Sequence, residues 1–437
     1  MFRFSRQSCA LSVAAVLCLP LLSVRAQTAP PTFPVATNHF SAENAAAPYA
    51  VDKVDKVAVR PTAPTELWIP SQRPSGNAVN DRIWLTYYPA LRPAASGIAA
   101  SRAGSTSDST SRVPAAVLLH YLGTAHNAEM HRFARHLSRR GIAAAVMTLP
   151  YHLLRARPHE QAVHYFVAPD ASVVAQAFDQ SASDVSTVVS WLIRQDGIDP
   201  QRIGAVGISL GAIVTHLSMA RDARIGAGVA MLGGGDLLDI YRRSIIGKIL
   251  VKKRIQAATP AEEALIRTVD PLFQAHLNQP RRVLMIEAAR DSFIPPGDAE
   301  KLWKALGQPP IQWLDINHLG LQLAPRAAMR TTTSFLEQAW SSKPLESIRV
   351  PRISVPTLKA GFLIGLDALV TPAIQIQALT LGKRRDHMAL LHADVGLSGR
   401  GPFAGVAVTL NQFADVGIGR RLGGSRFRPY ASLHFTF

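Results

Sequence analysis

Between Arg202 and Arg221 the chain reads RIGAVGISLGAIVTHLSMAR, an apolar run, a serine between two glycines, and a second apolar run. Ile203, Ala205 and Val206 suit a buried strand, and Ala212, Ile213, Val214, Leu217 and Met219 suit a packed helix. Gly207 to Gly211 must then reverse the chain in a few residues. Glycine on either side of Ser209 removes Cβ atoms that would collide in so tight a turn, and the serine is left on a strained elbow with its hydroxyl clear of the sheet. The N–H of Leu210 opens the helix, where unpaired donors and the helix dipole favour a developing negative charge. Such a turn offers a nucleophile beside an oxyanion donor.

The surrounding pattern alternates strands and helices. Glu66–Pro70 and Arg82–Pro89 read as two opening strands, and Pro114–His120 is a continuous apolar run that suits a buried parallel strand. Helical spacing follows through Met130, Phe133, Ala134 and Leu137, then a strand over Ile142–Leu149. Val185, Val188, Val189 and Leu192 place a helix at Ser183–Arg194. Ile225–Leu232, Arg282–Ala288 and Ile311–Ile316 read as further strands, and Ala327–Trp340 as a closing helix. Residues 93–112 are a small-residue, low-complexity loop.

With its upstream run ASDVSTVVSWLIRQDGIDPQRIGAVGISLG, the elbow resembles the α/β-hydrolase superfamily, in particular its acetyl-xylan-esterase and dienelactone-hydrolase-like members, over about residues 114 to 340. The resemblance implies a mostly parallel sheet flanked by helices, a helical cap, and the chain order serine, acid, histidine. It assigns Ser209 as nucleophile and His318, in Asn317-His318-Leu319-Gly320 after the last core strand, as general base. Asp291, in the loop after Arg282–Ala288, is the acid, with Asp298 and Glu287 as competitors. His120-Tyr121-Leu122-Gly123 is similar to the H-G-x-G turn that supplies a second oxyanion donor, here the Leu122 N–H. Tyr121 stands where that turn has glycine. Tyr121 and His152 are the candidates for substrate contact; for His152 the competing reading is a surface histidine in an irregular loop. The stretch from about 236 to 280 resembles the cap, and its basic segment YRRSIIGKILVKKRI (241–255) reads as a packed cap helix with solvated lysines. The mechanism requires no metal and no organic cofactor.

Residues 1–26 carry Arg3 and Arg6, an apolar run, and Val24-Arg25-Ala26, which is a secretory signal pattern. Both cysteines, Cys9 and Cys18, lie within it, so the exported chain is expected to have no disulfide and no thiol chemistry. Residues 27–64, rich in Ala, Pro and Thr, read as a flexible segment. The formal charge is +17, of which Arg3, Arg6 and Arg25 supply three, leaving +14. No nucleic-acid-binding motif accompanies that charge, and a solvated basic surface or an anionic envelope surface accounts for it.

After Pro351 and Pro356 the period changes to two. Ala389, Leu391, Ala393, Val395 and Leu397 alternate with Leu390, His392, Asp394 and Gly396, and the chain finishes with Ala431, Leu433, Phe435 and Phe437 against Ser432, His434 and Thr436. This ending resembles the last strand of bacterial outer-membrane β-barrel proteins. Five or six candidate strands fall short of the about eight that a single-chain barrel needs. One copy is therefore not expected to close; several chains sharing a barrel, or a partial sheet packed on itself or on the hydrolase, are the expectations. Outer-membrane association and a soluble accessory β-domain both stay open, as does a homo-oligomer.

The sequence thus predicts a signal (1–26), a flexible segment (27–64), an α/β-hydrolase domain (65–345) and a C-terminal antiparallel β-domain (351–437). The expected function is exported serine hydrolysis of carboxylic esters, in the periplasm or outer membrane of a Gram-negative bacterium, acting on a small-molecule ester and not on nucleic acid. The alternatives are a peptidase or thioesterase, or an inactive envelope binding protein.

Overall fold

An eight-stranded sheet forms because the strands of its centre are apolar on both faces, and helices cover both. The computed structural model describes residues 63–91, 112–250, 258–279, 281–341, 344–366, 370–383 and 386–437. The leader expected at 1–26, nearly all of the segment 27–64, the stretch 93–112 except its last residue, and the end of the basic cap segment lie outside them. The strands are β1 (Thr65–Pro70), β2 (Arg82–Tyr88), β3 (Val113–Leu119), β4 (Ala143–Met147), β5 (Ile198–Ile208), β6 (Ile225–Met231), β7 (Arg282–Ala288) and β8 (Ile311–Leu314), in the spatial order β1-β2-β4-β3-β5-β6-β7-β8. β1 and β2 pair antiparallel, β2 joins β4 antiparallel, and every later pair is parallel.

Helices α1 (Ala128–Arg139), α2 (Ala171–Ile193), α3 (Leu210–Arg221), α4 (Leu237–Arg243), α5 (Pro260–Arg267), α6 (Pro296–Ala305) and α7 (Pro325–Ala339) complete the domain. Two apolar cores lie on opposite faces of the sheet, one under α2 and α3, the other under α1 and α7. α2 starts twelve residues earlier than the sequence pattern places it, with Asp170 capping Ser172 N. Ser181, Thr187 and Ser190 satisfy their hydroxyls on the preceding turn, as Ser181 Oγ on Ala177 O and Thr187 Oγ1 on Ser183 O. Polar residues there hide the helix from a hydrophobic-period reading while remaining compatible with burial. The cap region is helical, with α4, a short helix at Ile245–Leu250, and α5.

The C-terminal strands correct the expectation that one copy cannot close. β9 (Thr357–Ile364), β10 (Thr371–Lys383), β11 (Ala389–Ser398), β12 (Gly401–Asn411), β13 (Ala414–Arg421) and β14 (Arg428–Thr436) form a closed six-stranded antiparallel barrel, sealed by β14 against β9. So narrow a barrel closes because small inward residues leave room for a few large ones. A Cβ on Gly405 would lie 2.7 Å from the Tyr430 ring, which fills the space instead. One end of the interior holds Leu363, Phe403 and Tyr430; the other holds charge. There Lys359 Nζ pairs with Asp415 (2.8 Å) and Asp394 (3.2 Å), and His392 Nδ1 lies 3.1 Å from Asp394, all fully buried. His392, Asp394 and Asp415 are grouped closely enough for a metal, but the lysine ammonium already supplies the cation. Among the described residues no helix is long and apolar enough to cross a membrane.

The charged end of the barrel rests on the α/β domain. Asp315, just beyond β8, accepts from Gln377 Nε2 (3.0 Å) and Ala389 N (3.2 Å), and its carbonyl accepts from Thr357 Oγ1 (2.8 Å). Trp313 and His387 stack with centroids 4.1 Å apart.

Candidate active site

The elbow is built by two backbone approaches that exclude side chains. A Cβ on Gly207 would meet Gly211 O at 2.0 Å, and one on Gly211 would meet Leu119 O at 2.3 Å. Ser209, between them, takes φ 56° and ψ −115° at the N-cap of α3, a conformation that costs a non-glycine residue about 1–3 kcal/mol. Its N–H is held by Met231 O at 2.8 Å. The strand β5 and the helix α3 thus fix the serine from both sides.

Three loops meet there. His318 Nε2 lies 2.8 Å from Ser209 Oγ, and His318 Nδ1 lies 2.6 Å from Asp291 Oδ2. The other oxygen of Asp291 accepts from Phe293 N (2.8 Å) and Ile294 N (2.9 Å), so the carboxylate is locked in place. Phe293 stacks on the His318 ring at 5.0 Å. The competitors serve elsewhere: Asp298 is paired with Lys301 at the start of α6, and Glu287 is buried within β7. Burial, and next the charge of Asp291, holds the Glu287 carboxyl well above the usual carboxylate range, and it is Asp291 that reaches the imidazole.

Leu210 begins α3, so its N–H is one of the unpaired donors of a helix start. The His120–Gly123 loop follows β3 and lies against that start, since Leu119 O and His120 O are the atoms a Gly211 side chain would strike. Two buried histidines hold the loop. Leu149 N donates to His120 Nε2 (3.0 Å), which leaves the proton on Nδ1 to donate to Tyr121 O (2.8 Å). Gly123 N donates to His152 Nε2 (3.1 Å), and His152 Nδ1–H donates to Pro150 O (2.8 Å). Burial lowers both, His120 to about 3 and His152 to about 4, so both act as neutral rings. His152 is 3% exposed with both nitrogens engaged inside the protein; it holds the loop rather than facing a ligand. Tyr121 and Leu122 are half-buried at the loop's tip.

One feature escaped the sequence reading. Arg290, beside Asp291, donates from Nε to Asp315 Oδ1 at 2.7 Å, and Arg290 N bonds Ile316 O. Burial opposes ionisation of Asp315, yet Arg290, with Gln377 and the Ala389 N–H, holds its carboxyl below the usual range. This pair ties the acid loop to the histidine loop and both to the barrel. A buried ion pair between distant segments has no periodicity, and nothing in the strand pattern marks it.

Residues 173–318 match the prolyl oligopeptidase family (Peptidase_S9), a span that contains Ser209, Asp291 and His318. This domain is a serine hydrolase of the α/β-hydrolase fold. No curated protein sequence matches the chain. Among solved structures it is similar to the acylaminoacyl peptidase of Pyrococcus horikoshii, with TM-score 0.46 and 16% identity over 65% of this chain and 43% of that one. Est1E from Butyrivibrio proteoclasticus gives TM-score 0.42 and 11% identity over 63% and 98%. TT1662 from Thermus thermophilus gives 0.44 and 17% over 64% and 100%. The hydrolase thus spans less than half the length of the peptidase.

Proposed function

We propose that the chain hydrolyses carboxylic esters through an acyl-enzyme, with Ser209, His318 and Asp291 as the catalytic triad. The observation that carries this reading is the continuous hydrogen-bonded line from Ser209 Oγ through His318 to Asp291, at 2.8 and 2.6 Å, on a strained elbow. Ser209 Oγ attacks the acyl carbon while His318 Nε2 takes its proton, and the tetrahedral oxyanion is held by the N–H groups of Leu210 and Leu122. His318 then protonates the leaving alkoxide, the alcohol departs, and water activated by the same nitrogen hydrolyses the acyl-serine. Asp291 keeps the proton on Nδ1 before attack and stabilises the imidazolium after it. The leader-like stretch 1–26 supports export to the cell envelope, and a mature N-terminus at residue 27 is the expected result of sequencing the exported protein.

A peptidase is the second reading, favoured by the family that residues 173–318 match. Turnover of p-nitrophenyl acetate and butyrate, set beside N-acyl aminoacyl p-nitroanilides, separates the two. Ester kcat/KM at least 100-fold above that of the anilides is the expected result; anilide turnover equal to or above ester turnover would make the chain a peptidase.

A further inference from the structure

We propose that the outer wall of the C-terminal barrel is embedded in the hydrocarbon of a lipid bilayer, with the hydrolase at one membrane face and an arginine-rich rim at the other. The barrel is inverted relative to a water-soluble one. Its interior carries Lys359, Asp394, Asp415 and His392, paired with one another and fully buried, whereas its outward positions are apolar. Phe362, Ile376, Val395, Val406, Ile418 and Phe435, one from each strand, are between 45% and 66% exposed. The outward positions of β12 read Pro402, Ala404, Val406, Val408 and Leu410.

Three observations identify the occupant as lipid. The apolar wall runs around all six strands of a closed barrel, so a second copy or a protein partner on one side would leave the rest in water, while a bilayer surrounds it. Closure also satisfies the condition that lipid sets on any spanning sheet, since no strand edge is left unpaired. The height is right as well: β11 has ten residues, and ten residues tilted by about 45° rise about 23 Å, near the apolar band of about 25 Å on membrane barrels. The rim far from the hydrolase bears Arg400, Arg420, Arg421, Arg426 and Arg428 against one acidic residue, Asp367, in the sequence of its three turns 365–370, 399–400 and 422–427, a basic excess that suits anionic headgroups.

The test uses the full chain with Cys9 and Cys18 changed to Ser, carrying Val406→Cys labelled with a polarity-sensitive fluorophore. Lys304→Cys on the hydrolase surface is the reference site. The protein is offered from detergent to vesicles of phosphatidylcholine and phosphatidylglycerol (3:1) that contain a lipid with a nitroxide in its acyl chain. The expected result is flotation with the vesicles and quenching of the label at 406 by about threefold or more, with the label at 304 unquenched. Val406→Arg should cut the floated fraction about tenfold or more, with an unchanged circular dichroism spectrum showing that the barrel still forms. Folded protein that stays at the bottom of the gradient would overturn the proposal, and so would flotation without quenching at 406. A lipid-free dimer in which the 406 label is already shielded would overturn it too, because the occupant would then be a second copy.

Discussion

In the hydrolase, Val117, Leu118 and Leu119 follow one another along β3 and all are fully buried; in the barrel, Val406, Ala407 and Val408 are 49%, 1% and 40% exposed, and the larger side chains face out. Both segments are apolar strands, yet their cores obey opposite rules. A sheet between helices buries both faces, so its interior is apolar and its few charges are exceptions paired locally, such as Arg155 with Asp184 at 2.7 Å. The barrel has one inside and one outside, and it gives one end of the inside to charge. The comparison teaches that burial of apolar surface is no fixed property of a strand; it depends on what lies beyond the outer face.

The largest contrast should come from removing a buried charge in the barrel. Lys359→Met leaves Asp394 and Asp415 without their cation and should cost about 3–5 kcal/mol, read as a lower denaturation midpoint of the barrel while the hydrolase transition stays in place. An unchanged midpoint would mean the cluster does not hold the barrel together. In the catalytic domain the matching internal polar device is His152, which accepts from Gly123 N. His152→Ala should lower kcat by up to about 10²-fold, the scale of losing one oxyanion donor, with KM little changed; a rise in KM alone would return His152 to the substrate.

Acid sharpens the comparison further. His120, His152 and His216 are buried in the hydrolase with values lowered from 6.5 to about 3, 4 and 4, chiefly by burial. Their folded-state values lie below the unfolded one, so the unfolded chain binds more protons between them. The stability they contribute is complete above pH 6.5 and falls as pH drops toward 4, by up to about 1.4 kcal/mol per pH unit for each histidine. Buried carboxyls work the other way, with Asp298 raised to about 7 and Asp270 to about 6, chiefly by burial, so the check is a difference: the shift in guanidinium midpoint of the hydrolase transition between pH 7 and pH 5 should be less destabilising in His216→Leu than in the unaltered protein, and equal shifts would mean that this ring is not kept neutral. The smallest effect belongs to the barrel wall. In detergent, Val406→Asn should change stability by no more than about 0.5 kcal/mol, whereas Val117→Asn, which buries an amide in the sheet, should cost several kcal/mol in the same assay.

Much of the hydrolase was legible in sequence because its signals are local. A glycine-flanked serine between two apolar runs can make few other turns, and strand ends followed by Asp291 and His318 point their loops at one edge of the sheet. What was hidden depends on contacts between distant segments. The first half of α2 buries polar residues such as Asp179, Gln180 and Ser181, the last with its hydroxyl on Ala177 O, and the Arg290–Asp315 link joins residues 25 apart. Barrel closure was hidden for a different reason. Strand count gave the expectation that one copy cannot close, but closure turns on the fit of small inward residues beneath Tyr430, which no period of two reveals. The alternation itself was plain; which side faced inward was not.

The most direct test of the catalytic account is covalent. Fluorophosphonate should label the wild-type protein once, at Ser209, and abolish p-nitrophenyl butyrate turnover in proportion to labelling, while Ser209→Ala takes no label and loses about 10⁴-fold or more in kcat. Turnover that survives in Ser209→Ala, or a wild-type protein that hydrolyses the ester without taking the label, would contradict it.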